Sequence, residues 1–182
     1  IERFSISGFF IKKLSNFNAT YNNTSYITTK WDFPIIRLAD LYLLYSEALN
    51  ENLENPNPEV YHYVDLVRER AGLKGVVESW STFSKQREKY LTKEGMREII
   101  QQERSIELAF EEQRFWDVRR WGLATREFNQ PVRGWYYQGE KTNKFYRVTV
   151  IDEVIYTTRD IFWPIRRYDL TVNPNLVQNL GW

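Results

Sequence analysis

The chain has 182 residues, with 25 Lys and Arg against 24 Asp and Glu, and it is 42% hydrophobic and 27% charged. That is the balance of one globular domain long enough to bury a core. A net charge of +1 leaves no cationic excess to neutralise phosphates, which argues against nucleic acid as a partner. The absence of Cys and the single His exclude disulfides and thiolate zinc sites, so neither a metal nor a cofactor is expected. No run of about 18 apolar residues is present, so no membrane-spanning helix is expected.

The segment Phe4 to Lys12 is short and apolar, and Asn16 to Thr29 is rich in Asn, Thr, Ser and Tyr without a helical period. Both read as extended chain and loop. Asn18-Ala19-Thr20 and Asn22-Asn23-Thr24 match the glycosylation sequon but carry no weight in so Asn/Thr-rich a loop. The chain starts at Ile1, its only Met is Met96, and no leader-like series opens it. It reads as a piece of something longer.

From Pro34 onward, Leu38, Leu41, Tyr42, Tyr45, Ala48 and Leu49 recur at helical spacing, with Asp40, Glu47 and Glu51 on the opposite side. This predicts a helix over 35–52, and Leu43 and Leu44 widen its apolar face enough to pack on more than one side. Asn57-Pro58-Glu59 then supplies a cap, a proline suited to the first turn and an acid at the positive end of the dipole. A second helix runs over 58–71 through Val60, Val64 and Val67 and stops at Gly72. The short loop makes the two helices an antiparallel hairpin of tetratricopeptide size. His62 falls with Asp65 and Glu69 on the far face of the second helix, where a solvated side chain is the simplest reading.

Gly75 to Tyr90 reads as irregular, and Thr92 caps a long helix over 93–121 that ends at Gly122. Within it Arg104, Glu107, Glu111 and Arg114 share one face as a ladder of alternating charge, with Asp117 three residues further on. Flanked by Phe110, Phe115, Trp116 and Trp121, these five residues are expected to form a structural ion-pair network, some of it buried. Beyond Gly122 the helical period is lost. Asn129-Gln130-Pro131 and Gly134 mark loops, Tyr146, Val148 and Val150 alternate as in a short strand, and Phe162 to Ile165 is an extended apolar run. The fold class is therefore mostly α, with a loop-rich carboxy-terminal tail and minor β content.

Several segments resemble the SusD/RagB-like family. Phe33-Pro34-Ile35-Ile36-Arg37-Leu38-Ala39-Asp40-Leu41-Tyr42-Leu43-Leu44-Tyr45-Ser46-Glu47-Ala48 is similar to the helix that opens the family's carboxy-terminal region, and Val67-Arg68-Glu69-Arg70-Ala71-Gly72-Leu73 to its next signature. Glu103-Arg104, Glu107 to Glu111, Arg114 to Gly122 and the ending Asn173 to Asn179 with Gly181-Trp182 continue the match in family order. Two departures are visible: Leu180 stands where a Pro is usual, and Arg166-Arg167-Tyr168-Asp169 replaces a Pro-Gln-Ser-Glu-like stretch.

The resemblance implies that 1–182 is the carboxy-terminal part of a SusD/RagB-like domain, whose amino-terminal tetratricopeptide-like part and lipoprotein signal are not in this chain. It implies a lipid-anchored protein on the extracellular face of the outer membrane. Such a protein binds an oligosaccharide or similar nutrient, passes it to a SusC-like TonB-dependent transporter, and does no chemistry of its own. Two other classes compete. A glycoside hydrolase needs a carboxylate pair, but neighbours on a helix such as Glu111 and Glu112 diverge by about 100 degrees and Glu111 has arginine partners at ladder spacing. A helical protein-binding scaffold would have little use for the aromatic tail.

Trp116, Trp121, Trp163 and Trp182 read as packing or tail-docking rings. Trp80 and Tyr137, in expected loops, are the candidate glycan-stacking residues.

Overall fold

The computed structural model describes residues 5–9, 11–13, 16, 18–21, 24–29 and 34–182. Phe4, Phe10, Asn22, Asn23 and Phe33, which belong to segments singled out above, lie outside the described residues. The chain divides into two compact units, Asn16–Arg114, and Ile1–Ser15 together with Phe115–Trp182.

The first unit holds a two-residue ladder of β1 (Thr20–Tyr21) with β2 (Tyr26–Ile27), then α1 (Leu38–Asn52), α2 (Pro58–Arg70), α3 (Val76–Phe83) and α4 (Lys93–Glu107). The local signals act where the sequence places them. Asn57 accepts from the N–H groups of Glu59 at 3.0 Å and Val60 at 3.1 Å, and Thr92 Oγ1 accepts from Gly95 N–H at 3.1 Å. Gly72 adopts φ +74°, and its N–H and that of Leu73 bond back to Glu69 and Arg68 carbonyls, both at 2.9 Å, in a Schellman arrangement. Leu43, Val60, Val64, Val67, Val76, Met96, Ile99 and Ile100 form the core of this unit.

The buried stripe of α1 is Ala39, Leu43, Ser46 and Asn50, whereas Leu38, Leu41 and Tyr45 are 59%, 50% and 46% exposed. Asp40 and Glu47 are drawn to Arg104 of α4, and Glu51, which stays exposed, pairs with Arg97 of the same helix. Ion pairing, together with hydrogen bonds from Ser46 to Val60 O (2.8 Å) and from Asn50 to Lys93 O (3.0 Å), sets the rotation of α1.

The stretch after Gly75 is also helical, because Asp65 of α2 accepts the Val76 N–H at 2.7 Å and so caps α3 from outside. Asp65 is thereby half-buried rather than solvated, and burial raises its pKa.

The helix expected over 93–121 is two helices, α4 and α5 (Gln113–Arg120), separated by a turn in which Phe110 and Glu112 both take φ +65°.

In the second unit, α6 (Ala124–Phe128), β3 (Val132–Trp135), α7 (Thr142–Phe145), β4 (Val148–Asp152) and α8 (Arg167–Val172) follow α5. β3 and β4 pair antiparallel, with Gly134 opposite Thr149 and Trp135 opposite Val148. Gly134 and Trp135 are thus strand residues rather than loop, and the three short helices replace expected irregular chain. Helices of five, four and six residues are too short to show a period.

The tail is held by side chains that grip backbone. Gln178 both accepts from Ile165 N–H (2.8 Å) and donates to Ile165 O (3.0 Å), and Trp182 Nε1 donates to Phe162 O (2.9 Å). No helix among the described residues is long and apolar enough to cross a membrane.

Candidate ligand-binding site

The loop after β3 folds back on itself: Tyr136 N–H is shared by Phe145 O and Arg147 O, both at 3.0 Å, and Gly139 N–H closes a turn onto Tyr136 O at 2.9 Å. This turn carries Tyr137 to the surface, 47% exposed, where Gln138 Nε2 donates to its hydroxyl at 3.3 Å. Tyr136, Tyr137, Gln138, Thr149, Ile151 and Ile6 line an open hollow of about 370 Å³. Rings, an amide and a hydroxyl around such a hollow can stack on a sugar ring and bond to its hydroxyls. The Arg147 guanidinium lies 5.1 Å over the Tyr136 ring.

Trp80 lies in α3, half-buried against the core of the first unit, with the Lys89 ammonium 5.2 Å over its ring. Trp80 and Tyr137 therefore belong to separate units. A second aromatic hollow of about 270 Å³, lined by Phe115, Tyr156, Phe162, Trp163 and Trp182 among others, lies under the tail. The guanidinium of Arg119, which also lines it, is engaged by Tyr156 Oη (2.8 Å), Asp160 O (2.9 Å) and Ile161 O. Trp182 docks the tail as expected, whereas Trp163 and Trp116 are 65% and 56% exposed.

Of the residues expected to form a charge ladder, Arg104, Glu107 and Glu111 have partners from other elements. Arg104, buried on α4, lies 2.8 Å from Asp40 and 3.9 Å from Glu47. Glu107 pairs with Arg37 and Arg70, each at 2.7 Å, and Glu111 with Arg37 at 2.8 Å. Asp117, buried on α5, pairs with Arg120 at 2.9 Å, and Arg114 is half-buried on the same helix. Glu111 and Glu112 stand in the turn between α4 and α5, not on a helix. Among the described residues no group of three His, Asp or Glu is placed to hold a metal ion.

Two structural features were not legible in the sequence: Arg37, whose role depends on its approach to α4, and the apposition of Ile6 to the Tyr137 turn. Neither leaves a local sequence signal.

One unit is built of helices, and the other carries a small hairpin and aromatic surface hollows that suit binding. The SusD family profile matches residues 1–182, and the chain belongs to that family, whose members are non-catalytic binding proteins and generally outer-membrane lipoproteins of the cell surface. SusD-like protein P25 of Formosa agariphila is 39% identical over 89 residues, covering 49% of this chain and 15% of that protein. A SusD-like carbohydrate-binding protein of known structure from Bacteroides fragilis is 30% identical, with a TM-score of 0.62 over 79% of this chain and 28% of that one. The fold extends over 98% of the chain in the selenomethionine structure of BT4246, at a TM-score of 0.81 and 26% identity, and covers 30% of that protein. The chain thus spans less than a third of the length of each of these relatives.

Proposed function

We propose that this chain is the carboxy-terminal part of a longer SusD-like protein that binds a glycan or similar nutrient at the cell surface and delivers it to a SusC-like TonB-dependent transporter. The family match over residues 1–182 carries this reading, supported by the likeness to a carbohydrate-binding protein. Within the chain, Tyr137 is the contributor to the glycan site, since its ring is uncovered beside an open hollow. Trp80 is the weaker contributor, with Lys89 over its ring. Arg104, Glu107, Glu111, Arg114 and Asp117 are structural. Anchorage is by a lipid on the amino-terminal part, and weak, exchangeable stacking suits a protein that hands its cargo onward.

Isothermal titration of the complete protein against a glycan panel, with a pull-down from outer membranes, tests this. Saturable binding of a glycan and co-purification of a TonB-dependent transporter are expected. No nutrient bound and no transporter recovered would overturn the assignment.

A further inference from the structure

One face of the β3–β4 hairpin carries an assembly of rings and, among the described residues, one cation without a partner. Register puts Trp135 opposite Val148 and Arg133 opposite Val150, so these four side chains share a face. The opening segment is bound alongside: Trp135 N–H donates to Ser7 O at 2.9 Å, and a Cβ on Gly134 would come within 2.6 Å of that carbonyl, so only glycine admits the crossing. The crossing sets Phe9 against Trp135, ring centroids 5.6 Å apart, while Tyr146 meets Trp135 edge-on at 5.5 Å. Phe9, Arg133, Gly134, Trp135 and Val148 enclose a shallow hollow of about 170 Å³. Phe9 and Tyr146 remain 57% and 59% exposed.

Arg133 is exposed and has no hydrogen-bond or ion-pair partner among the described residues. The residue opposite it is a valine, and the next carboxylate along the strand, Asp152, is turned to the Glu153 N–H at 2.8 Å. The unit that contains the hairpin has 13 basic against 8 acidic residues, whereas the other has 12 against 16, a division the overall net charge of +1 conceals. A planar guanidinium beside stacked rings suits a flat ring that carries a carboxylate or sulfate: the rings take the apolar face and the fork takes the oxygens in a bidentate pair.

We infer that this face is a glycan subsite for an acidic sugar, a pyranose bearing a uronate or sulfate group, read by Arg133 and supported by Trp135 and Phe9. The inference rests on the carbohydrate reading above and narrows its substrate class. Its occupant is a sugar rather than a protein, because the hollow is small and, among the described residues, Arg133 is the one cation at its edge.

The test is titration of the complete protein with a glycan array of three arms: uronate oligosaccharides, sulfated oligosaccharides and neutral oligosaccharides of matched length. Binding is expected in one of the two acidic arms, which also separates carboxylate from sulfate, and is expected to weaken with added salt. Arg133→Gln, at an exposed and unpaired position that leaves the fold intact, should lower that affinity about tenfold or more and abolish the preference over neutral sugars, with Arg133→Lys in between. Neutral glycans bound as tightly as acidic ones, or acidic binding indifferent to Arg133→Gln, would overturn this inference and leave the glycan reading standing. No glycan bound in any arm would overturn both.

Discussion

Arg37 precedes α1 and spreads its guanidinium over the end of α4, donating to Glu107 O at 3.0 Å and pairing with Glu107 at 2.7 Å and Glu111 at 2.8 Å. It takes a carbonyl that a continuing helix would have bonded internally and offsets two left-handed residues that each cost about 1–2 kcal/mol. Arg37→Met should destabilise the protein by about 1–2 kcal/mol, because it removes a cation shared by two partly buried carboxylates, of which Glu107 keeps Arg70; urea unfolding would measure it. At Glu103 burial raises the pKa more than the paired Arg68 lowers it. A carboxyl with a raised folded-state pKa binds its proton more tightly folded than unfolded, so its contribution falls as pH rises above the ordinary value of 4.5. Glu103→Gln should therefore gain stability relative to wild type between about pH 4 and pH 7, and parallel urea titrations at the two pH values would show it. At the ligand face, Tyr137→Ala should weaken glycan binding by the complete protein by about 1 kcal/mol without shifting its thermal midpoint, as paired calorimetric titrations and melts would register.

The elements divide by where their instructions lie. Asn57, Gly72, Thr92 and Gly122 act on backbone within a few residues, so the ends of α2, the start of α4 and the stop after α5 were legible in the sequence. Asn57→Ala should cost about 1 kcal/mol by leaving two N–H groups of α2 uncapped, measurable as a loss of unfolding free energy. What escaped the sequence was set at a distance. Leu108-Ala109-Phe110-Glu111-Glu112 contains neither glycine nor proline, and the residue that helps break the helix there lies 74 positions earlier. The cap of α3 comes from Asp65, 11 positions before Val76. In α1 two faces are apolar, and the choice between them was made by acids that sequence pattern alone assigns to solvent. Tyr137 could be picked out because a turn exposes its ring, whereas the company of Arg133 depends on strand register and on the passage of Ser7 beside Gly134.

Across the whole molecule, a body of four longer helices and an aromatic, hairpin-bearing unit are consistent with membership of the SusD family. The division of charge between them bears on binding rather than on fold, since net charge steers ligands more than it selects architecture. The rotation of α1 has a consequence of another kind. Leu38, Leu41, Leu44, Tyr45 and Ala48 lie uncovered along one side of that helix, and a contiguous apolar strip is a colloidal liability in water. Purified by itself, the 182-residue chain should self-associate reversibly as its concentration rises, with a sedimentation coefficient that climbs across a dilution series. Leu38→Gln with Leu41→Gln, which leaves the buried stripe of α1 untouched, should flatten that climb and raise the solubility limit of the preparation.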